Sequence, residues 1–357
     1  MNKRLLIVGT LLLALFALIA GGSYVKNNRP KPVEFNAVNV YGGLIFQKPE
    51  VIQYLHDKYQ IDVQETMMGS FAQAEADLTG VDCVHPGSAT AADYFNEKNP
   101  GKAKRSDTLF STYLMVYTWK SNLPTLMSSG VVYEKDGSYF MKMKQVADAM
   151  GSDKNWSDLN VDIPGFVFID STDPLKSSSG MVFLQLLADY QIAGGANGGK
   201  VATPDTIDPV LSFVNHYWQI AGNQEKDSPS LFQKFIRSGE GLPMIVNYES
   251  AYPEWYNGLS ADLKKQADGI IGIYPEVTIN TDHILISLTP ACEKLADILV
   301  SDPWITQFAW SALGMRNGKG GINAKPGEAI IPWIAKSVPA MHESKKAVVD
   351  LIKSVLK

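Results

Sequence analysis

Runs of apolar, β-type residues alternate along the chain with segments whose apolar positions recur at helical spacing. The first run, Asn36 to Val40, ends in a Tyr-Gly-Gly turn, and residues 49 to 60 then place their apolar side chains on one helical face. Further β-type runs follow at 61–64 and 80–84. Strands separated by helices of this length predict a parallel sheet with right-handed crossovers, in which ligands bind beyond the carboxyl ends of the strands.

Two longer extended runs divide this pattern. Residues 108–119 and 278–288 are β-prone and long enough to cross between two halves of a molecule, and a second block of alternating helices and strands lies between them. We therefore predict an α/β protein of two lobes, each a mostly parallel sheet flanked by helices, joined by two crossover strands. The predicted division is lobe 1 at 35–113, lobe 2 at 114–283 and a second part of lobe 1 at 284–357.

The segment 165–184 predicts a small-ligand cradle. An apolar run, Phe166 to Ile169, leads through Asp173-Pro174 into Ser177, Ser178 and Ser179 at the start of an apolar helix. The first N–H groups of a helix have no intrahelical partner and carry partial positive charge, and serine hydroxyls can add to them. Gly180 would leave room for close approach of the backbone. An ordinary serine-capped helix would show the same residues, so both interpretations stay open.

The amino terminus has the pattern of an export signal. Lys3 and Arg4 precede an uncharged stretch from Leu5 to Ala20, and small residues follow up to Gly22, which predicts a leader at 1–22 and an exported, periplasmic or cell-surface protein. With its glycines the stretch reaches about 18 residues, so an uncleaved membrane anchor is the alternative. Residues 23–34 are polar and proline-punctuated, as a linker to a folded body would be.

Composition and charge exclude several classes. A hydrophobic content of 45% and a charged content of 19% describe a globular protein. The net charge of −5 becomes −7 without the two cations of the leader, which argues against a nucleic-acid binder. Cys83 and Cys292 could form a disulfide or remain two buried thiols. The five histidines are scattered, so neither a metal site nor a cofactor is predicted.

Motifs of common hydrolases are missing from the sequence. No serine lies in a Gly-x-Ser-x-Gly pattern, and His342-Glu343 is followed by Ser-Lys-Lys instead of completing His-Glu-x-x-His. The segment 194–200, GGANGGK, is followed by Val201 where a phosphate loop needs Ser or Thr. We therefore predict a non-enzyme, with an exported hydrolase as the less favoured alternative.

Several segments together resemble the bacterial extracellular solute-binding proteins of ABC importers. The similarity is to the type II periplasmic-binding fold, in the group that includes molybdate, sulfate and phosphate binders, and it spans about residues 36–320. The matching segments are Val40-Tyr41-Gly42-Gly43, Asp82-Cys83-Val84 with Pro86-Gly87-Ser88, Tyr117-Thr118-Trp119, Thr172-Asp173-Pro174 with Lys176-Ser177-Ser178-Ser179-Gly180, Val246-Asn247-Tyr248-Glu249-Ser250, and Tyr274-Pro275 through Leu313-Gly314-Met315-Arg316.

The resemblance implies a monomer that captures a small solute between its lobes and delivers it to an ABC permease in the membrane. The binding residues that it implies by position are Gly42, Gly43, Ser88, Thr112, Thr172, Ser177, Ser178, Ser179, Tyr248 and Glu249. Backbone N–H groups and hydroxyls can hold an oxyanion without a countercharge, so an oxyanion is the leading ligand class. An unpaired Glu249 would repel an anion, and its alternative role is that of a first-turn glutamate at a helix dipole. A membrane-anchored ligand-sensing or assembly module with the same fold is the alternative function.

Overall fold

The computed structural model describes residues 36–328, 331 and 333–356. The predicted leader and the predicted linker at 23–34 lie outside these residues. Within the described ranges, every helix is too short or too polar to cross a lipid bilayer.

The strands and helices alternate as expected for an α/β protein. The strands are β1 (Asn36–Gly42), β2 (Ile61–Met67), β3 (Cys83–Val84), β4 (Arg105–Trp119), β5 (Val132–Lys135), β6 (Ser138–Met141), β7 (Met244–Tyr248), β8 (Ile270–Pro275), β9 (Thr278–Ser287), β10 (Arg316–Asn317) and β11 (Ala340–His342). The α-helices are α1 (Pro49–Tyr59), α2 (Ala89–Lys98), α3 (Leu123–Ser128), α4 (Met143–Met150), α5 (Ser178–Gln191), α6 (Pro204–Ile207), α7 (Leu211–Ala221), α8 (Ser228–Ser238), α9 (Ala251–Asn257), α10 (Ala261–Ala267), α11 (Pro290–Ser301), α12 (Pro303–Leu313) and α13 (Lys346–Val355). Short 3-10 helices lie at Leu44–Gln47, Ala72–Ala74, Lys120–Asn122, Trp156–Leu159, Ala196–Gly198, Asp208–Val210 and Gly239–Gly241.

The sheet is mixed, in the order β2-β1-β3-β9-β4-β8-β6-β5. β1 is parallel to β2 and β3, whereas β9 is antiparallel to β3 and β4. β7 and β10 also pair with β4, and β11 pairs with β9. Because β4 is antiparallel to β7, β8, β9 and β10, and β9 is also antiparallel to β3, the sheet is less parallel than the sequence pattern predicts.

Strand β4 passes through both lobes. Its first part, Arg105 to Tyr113, pairs with β9, and its later part, Leu114 to Trp119, pairs with β7 and β8. Lobe 1 is therefore built on β1, β2, β3 and the first part of β4, and lobe 2 on the later part with β5 to β8. The crossover at residues 108–119 has the role that its length predicts.

Each lobe has its own apolar core. In lobe 1, Val40 of β1 packs in one cluster with Leu55 of α1 and Leu299 of α11, and a disulfide joins Cys83 of β3 to Cys292 of α11. In lobe 2, helix α5 is buried on almost every face, which suits its apolar sequence. Complete burial of one such leucine or phenylalanine side chain contributes about 1.5–3 kcal/mol.

The carboxyl-terminal helix α13 contacts both lobes. Val348, Val349 and Ile352 are buried in the same apolar cluster as α5 and α7 of lobe 2. On the lobe 1 side, the Lys346 ammonium lies 4.6 Å from the ring centroid of Tyr94 in α2. The chain end therefore lies across the boundary between the lobes.

Candidate functional site

A cavity of about 440 Å³ lies between the two lobes. Its wall takes residues from lobe 1, from lobe 2 and from the carboxyl-terminal segment. They include Gly69, Ser70, Gly87, Ser88, Thr90 and His283 from the first group, Pro174, Lys176, Ser177, Ser178, Met181 and Gln185 from the second, and Glu343, Val349 and Lys353 from the third. A hollow of about 470 Å³ is lined by aromatic and aliphatic residues such as Tyr139, Tyr256 and Trp333, and lies outside this boundary.

On the lobe 1 side, the cavity meets the amino terminus of α2. A short turn after β3 brings Ser88 to the N-cap position in extended conformation, and its hydroxyl accepts a hydrogen bond of 3.1 Å from Ala91 N–H. The next free helical amide, Thr90 N–H, donates to Glu343 Oε2 over 3.3 Å, and the Thr90 hydroxyl donates to the same oxygen over 3.1 Å. A carboxylate thus already occupies part of this helix terminus.

On the lobe 2 side, the cavity meets the amino terminus of α5. Ser177 precedes the helix in extended conformation, and its hydroxyl lies 3.1 Å from that of Ser179. The Ser179 hydroxyl is in turn 2.7 Å from that of Thr172, so these two hydroxyls form a hydrogen bond behind the cavity wall. A Cβ atom at Gly180 would lie 2.0 Å from the Thr172 carbonyl oxygen, so only glycine permits this approach. Ser177 and Ser178 line the cavity, and the first N–H groups of α5 that follow them have no partner within the helix.

Tyr248, at the end of β7, lies behind this wall. Its hydroxyl is buried and makes no hydrogen bond of regular geometry, although the hydroxyls of Ser178 and Thr281 lie beside it. Burial raises the pKa of the Tyr248 hydroxyl, and Glu343 nearby raises it further. The phenol therefore stays protonated and can donate a hydrogen bond.

Two histidines lie near the lobe 1 wall. The rings of His85 and His283 are 6.0 Å apart between centroids, and His283 lines the cavity. Burial lowers the pKa of His283 to about 4 and, together with the charge of His283, lowers that of His85 to about 3. Both imidazoles are neutral near pH 7, so they offer hydrogen bonding and no positive charge.

Glu343 is the acidic group of the cavity wall. The residue is 9% exposed, and its Oε1 atom is buried without a hydrogen-bond partner of regular geometry. Burial raises the pKa of Glu343 to about 7, opposed by the hydroxyls of Thr281 and Thr90. Near neutral pH this carboxyl is therefore balanced between its charged and neutral forms.

The lysines of the cavity lie at its rim. Lys176 is largely exposed and its ammonium lies 2.7 Å from Asp173 Oδ2. Lys353 is exposed, and its ammonium lies 5.4 Å from the centroid of the Phe71 ring. An exposed, paired lysine contributes little to binding an anion deep in the cavity.

The predicted site residues fall into two groups. The structure brings Ser88, Ser177 and Ser178 to the cavity wall, with Thr172, Ser179 and Tyr248 directly behind it. Gly42 lies one layer further back, because a Cβ atom there would be 2.7 Å from His85 Cβ, and Gly43 follows it at the start of a 3-10 helix.

Thr112 and Glu249 are engaged elsewhere. The Thr112 hydroxyl donates to the Ser250 hydroxyl over 3.1 Å and accepts from Ser250 N–H over 3.1 Å. Glu249 is fully buried and its oxygens accept from Arg316 Nε over 3.0 Å and from the Tyr274 hydroxyl over 2.9 Å. It is thus neither a cavity carboxylate nor one at an exposed helix terminus.

Sequence reasoning did not select Glu343, His283 or Gln185 for the site. His342-Glu343 attracted attention only as an incomplete metalloprotease pattern. Glu343 reaches Thr90 across 253 positions of sequence, and no local spacing signals such a contact. Within the described ranges, no group of three or more His, Cys, Asp or Glu side chains is arranged to hold a metal ion.

No protein-family model matches the sequence, and no curated protein matches it either. Solved structures do match in fold. Ferric ion-binding protein A of Pasteurella haemolytica, in its apo form, superposes with a TM-score of 0.59 at 12% identity, covering 90% of this chain and 96% of that one. The ferric binding protein of Campylobacter jejuni gives a TM-score of 0.57 at 11% identity, covering 89% of this chain and 97% of that one.

A third similar structure is the periplasmic binding protein AfuA of Actinobacillus pleuropneumoniae with fructose-6-phosphate. It gives a TM-score of 0.52 at 13% identity, covering 90% of this chain and 96% of that one. These likenesses confirm the predicted fold class, the two-lobed α/β fold of periplasmic binding proteins. The neighbours are binding proteins by name, and the group of molybdate, sulfate and phosphate binders stays a prediction.

Proposed function

We propose that this protein is an extracytoplasmic solute-binding protein that captures a small solute in the interlobe cavity and delivers it to an ABC importer. The observation that carries the proposal is that two helix amino termini, α2 from lobe 1 and α5 from lobe 2, open on the same cavity. A solute that contacts both termini would favour the closed arrangement of the lobes.

The cavity suits a ligand that is held without covalent chemistry. The amino terminus of α5 contributes about 0.3–1 kcal/mol toward an anionic group, and more where it is partly buried, whereas Glu343 already occupies part of the α2 terminus. The hydroxyls of Ser177 and Ser178 add donors at the α5 terminus, and Ser88 caps the α2 terminus. These features support an anionic group, such as an oxyanion, as one part of the solute.

Localisation follows from separate features. The predicted leader at 1–22 directs export, and a disulfide such as Cys83–Cys292 persists in an oxidising compartment. The similar structures are named as periplasmic or ferric-binding proteins, which supports a periplasmic or cell-surface location and a membrane permease as partner. We propose that the protein acts as a monomer divided as predicted, at 35–113, 114–283 and 284–357, except that His283 belongs with lobe 1, because it pairs with Phe110 of β4.

A ligand screen tests the proposal. Phosphate, sulfate, molybdate, glucose, glycine and ferric citrate would each be added to the full chain, and a bound solute should raise the melting temperature. Calorimetry with the best probe should then show that Ser177→Ala combined with Ser178→Ala weakens binding by about 1–3 kcal/mol.

Ser301→Ala provides the control, because this serine is exposed at the end of α11. It should leave the affinity unchanged. Equal affinities of the wild type and the double variant would remove the α5 terminus from the site. Failure of a broad solute collection to shift the melting temperature would contradict the function itself.

A further inference from the structure

The unpartnered oxygen of Glu343 indicates what the solute carries besides an anionic group. Glu343 Oε2 accepts both hydrogen bonds from Thr90, and Glu343 Oε1 is buried and accepts no hydrogen bond of regular geometry, although the Thr281 hydroxyl lies near the carboxyl group. Leaving a buried carboxylate oxygen unpaired is costly, and a site tolerates it where a ligand completes the pairing. Glu343 lines the cavity, so its carboxyl group belongs to the wall that a bound solute contacts.

No protein cation among the described residues satisfies this carboxylate. No Lys, Arg or His nitrogen in this part of the chain lies within 4.0 Å of it. On its own segment, Lys346 pairs with Asp350 over 2.6 Å and Lys353 lies over the Phe71 ring. Asp282 of β9 adds negative charge, which raises the pKa of Glu343 further. The His283 imidazole of the same strand is neutral because burial lowers its pKa to about 4.

The anion-binding and cation-binding features lie close to each other. The Tyr248 hydroxyl lies beside the Ser178 hydroxyl, and the Glu343 carboxylate is near enough for its charge to raise the pKa of Tyr248. Ser178 belongs to the start of α5, where the free amides favour an anion. Ser178 and Glu343 both line the cavity, so a single small molecule with two opposite charges has a matching group for each.

We propose that the solute is a small zwitterion, with its anionic group at the amino terminus of α5 and its ammonium group against Glu343. This assignment rests on the proposed function and names the class of molecule that the cavity selects. The ammonium supplies the hydrogen-bond donors that Oε1 lacks. The Glu343 carboxylate in turn compensates the cost of removing the ammonium from water. A plain anion gains nothing from an ionised Glu343 and is repelled by it.

The competing possibility is that a protonated Glu343 donates a hydrogen bond to a plain oxyanion. The two cases differ in the sign of their pH dependence. Affinity for a zwitterion rises from pH 5.5 to pH 8, because Glu343 must be ionised, whereas affinity for a plain anion held by the acid form falls. The other ionisable groups around the site are Asp282, His283, His342, Tyr248, Lys176, Lys346 and Lys353.

Calorimetry with matched probe pairs tests the assignment. The pairs are β-alanine with propionate and 2-aminoethylphosphonate with ethylphosphonate, titrated at pH 8 into wild type and Glu343→Gln. In at least one pair the amine-bearing member should bind wild type about tenfold or more tightly than its deaminated partner. Glu343→Gln should reduce that ratio to about threefold or less. Glu134→Gln, at an exposed position of β5, should keep the wild-type ratio.

Each other outcome overturns the assignment. A deaminated probe that binds as tightly as its partner, or more tightly in Glu343→Gln, would leave solute binding intact and exclude the zwitterion. Binding by none of the four probes would also overturn it, while the broader screen decides the proposed function separately. A cooperative thermal transition of Glu343→Gln, measured by circular dichroism, establishes that the variant is folded.

Discussion

Glu249 and Glu343 are both buried carboxylates, and their surroundings are opposite. Glu249 is enclosed by the Arg316 guanidinium and the Tyr274 hydroxyl, so its charge is matched within the protein. Glu343 accepts hydrogen bonds from Thr90 on one oxygen only, its other oxygen is buried without a partner of regular geometry, and the residue lines the interlobe cavity. The difference shows that burial of an acidic group does not by itself mark a ligand site, whereas an unmatched atom on a cavity wall does.

Arg316 makes further contacts besides its ion pair with Glu249. Arg316 also donates to the carbonyl oxygens of Gly320 over 3.1 Å and Ala335 over 2.6 Å. Its guanidinium carbon lies 4.9 Å from the ring centroid of Tyr113, at the end of the lobe 1 part of β4. Glu249 and Arg316 therefore hold several separate segments together near the crossover strands.

Removal of Arg316 should give the largest effect. Arg316→Met leaves Glu249 as an uncompensated buried charge, and we expect the free energy of unfolding to fall by about 3–5 kcal/mol. Urea denaturation measures it. Glu249→Gln combined with Arg316→Met should recover part of the loss, because no charge is then left unpaired.

Lys48→Met is the matched control for Arg316→Met. Lys48 pairs with Glu254 over 3.2 Å at the surface, with side chains 31% and 54% exposed. Loss of this pair should cost less than about 1 kcal/mol. A similarly small cost for Arg316→Met would mean that Glu249 is not held as an ion pair.

Glu343→Gln should have an intermediate effect of opposite sign. In wild type the pKa of about 7 lies above the ordinary value of 4.5, so the folded protein holds a proton that the unfolded chain releases between these values. The resulting stability is fully present below about pH 4.5 and is lost as pH rises through about 7. Without solute, Glu343→Gln should therefore exceed wild type by about 1–3 kcal/mol at pH 8 and equal it at pH 4.5.

Asp189→Asn separates the effect of burial on stability from the effect of lining the cavity. Burial raises the pKa of Asp189 in α5 to about 7 as well, with one oxygen bonded to Ala202 N–H and the other unpartnered. It should gain stability at pH 8 in the same way, as thermal unfolding across pH would show. A bound solute should reduce the gain in stability of Glu343→Gln and leave the gain of Asp189→Asn unchanged. Equal pH profiles for wild type and Glu343→Gln would contradict the raised pKa.

Thr90→Val should have the smallest effect. The substitution removes the hydroxyl that donates to Glu343 and to the Ser344 carbonyl, so unfolding should become easier by about 1 kcal/mol. The same denaturation assay measures it. Thr66→Val, at an exposed position of β2, should change stability by less than about 0.5 kcal/mol. Equal losses in both variants would show that the contact between α2 and Glu343 adds no stability.

Local patterns predicted much of the fold. The crossover expected at 108–119 is strand β4, which begins slightly earlier at Arg105. The serine-rich turn after 165–169 does begin a buried helix, α5. Apolar residues at 207, 210, 211, 214 and 218 have helical spacing and predict one helix over 205–221, but the structure divides this stretch into α6, a 3-10 turn and α7. Pro209 explains the division, because proline lacks an N–H group and disrupts the preceding helical turn.

Contacts between distant segments were beyond the reach of local patterns. Glu249 was expected from its segment as a ligand residue or a first-turn glutamate, and its partner Arg316 is 67 positions away. The spacing of Val348, Leu351, Ile352 and Val355 predicts the last helix, but its contact with both lobes depends on tertiary packing. The cavity itself joins segments from residues 69 to 353, so only the serines at its helix termini carried a local signal.

The bond between Cys83 and Cys292 has a practical consequence for observing the lobes in solution. The sequence contains two cysteines and both form this bond. A cysteine introduced elsewhere would therefore be the one thiol that reacts with a label. Ser354→Cys, at an exposed position of α13, would carry a dye at the boundary between the two lobes. Its emission would then follow opening and closing directly, without a second fluorophore.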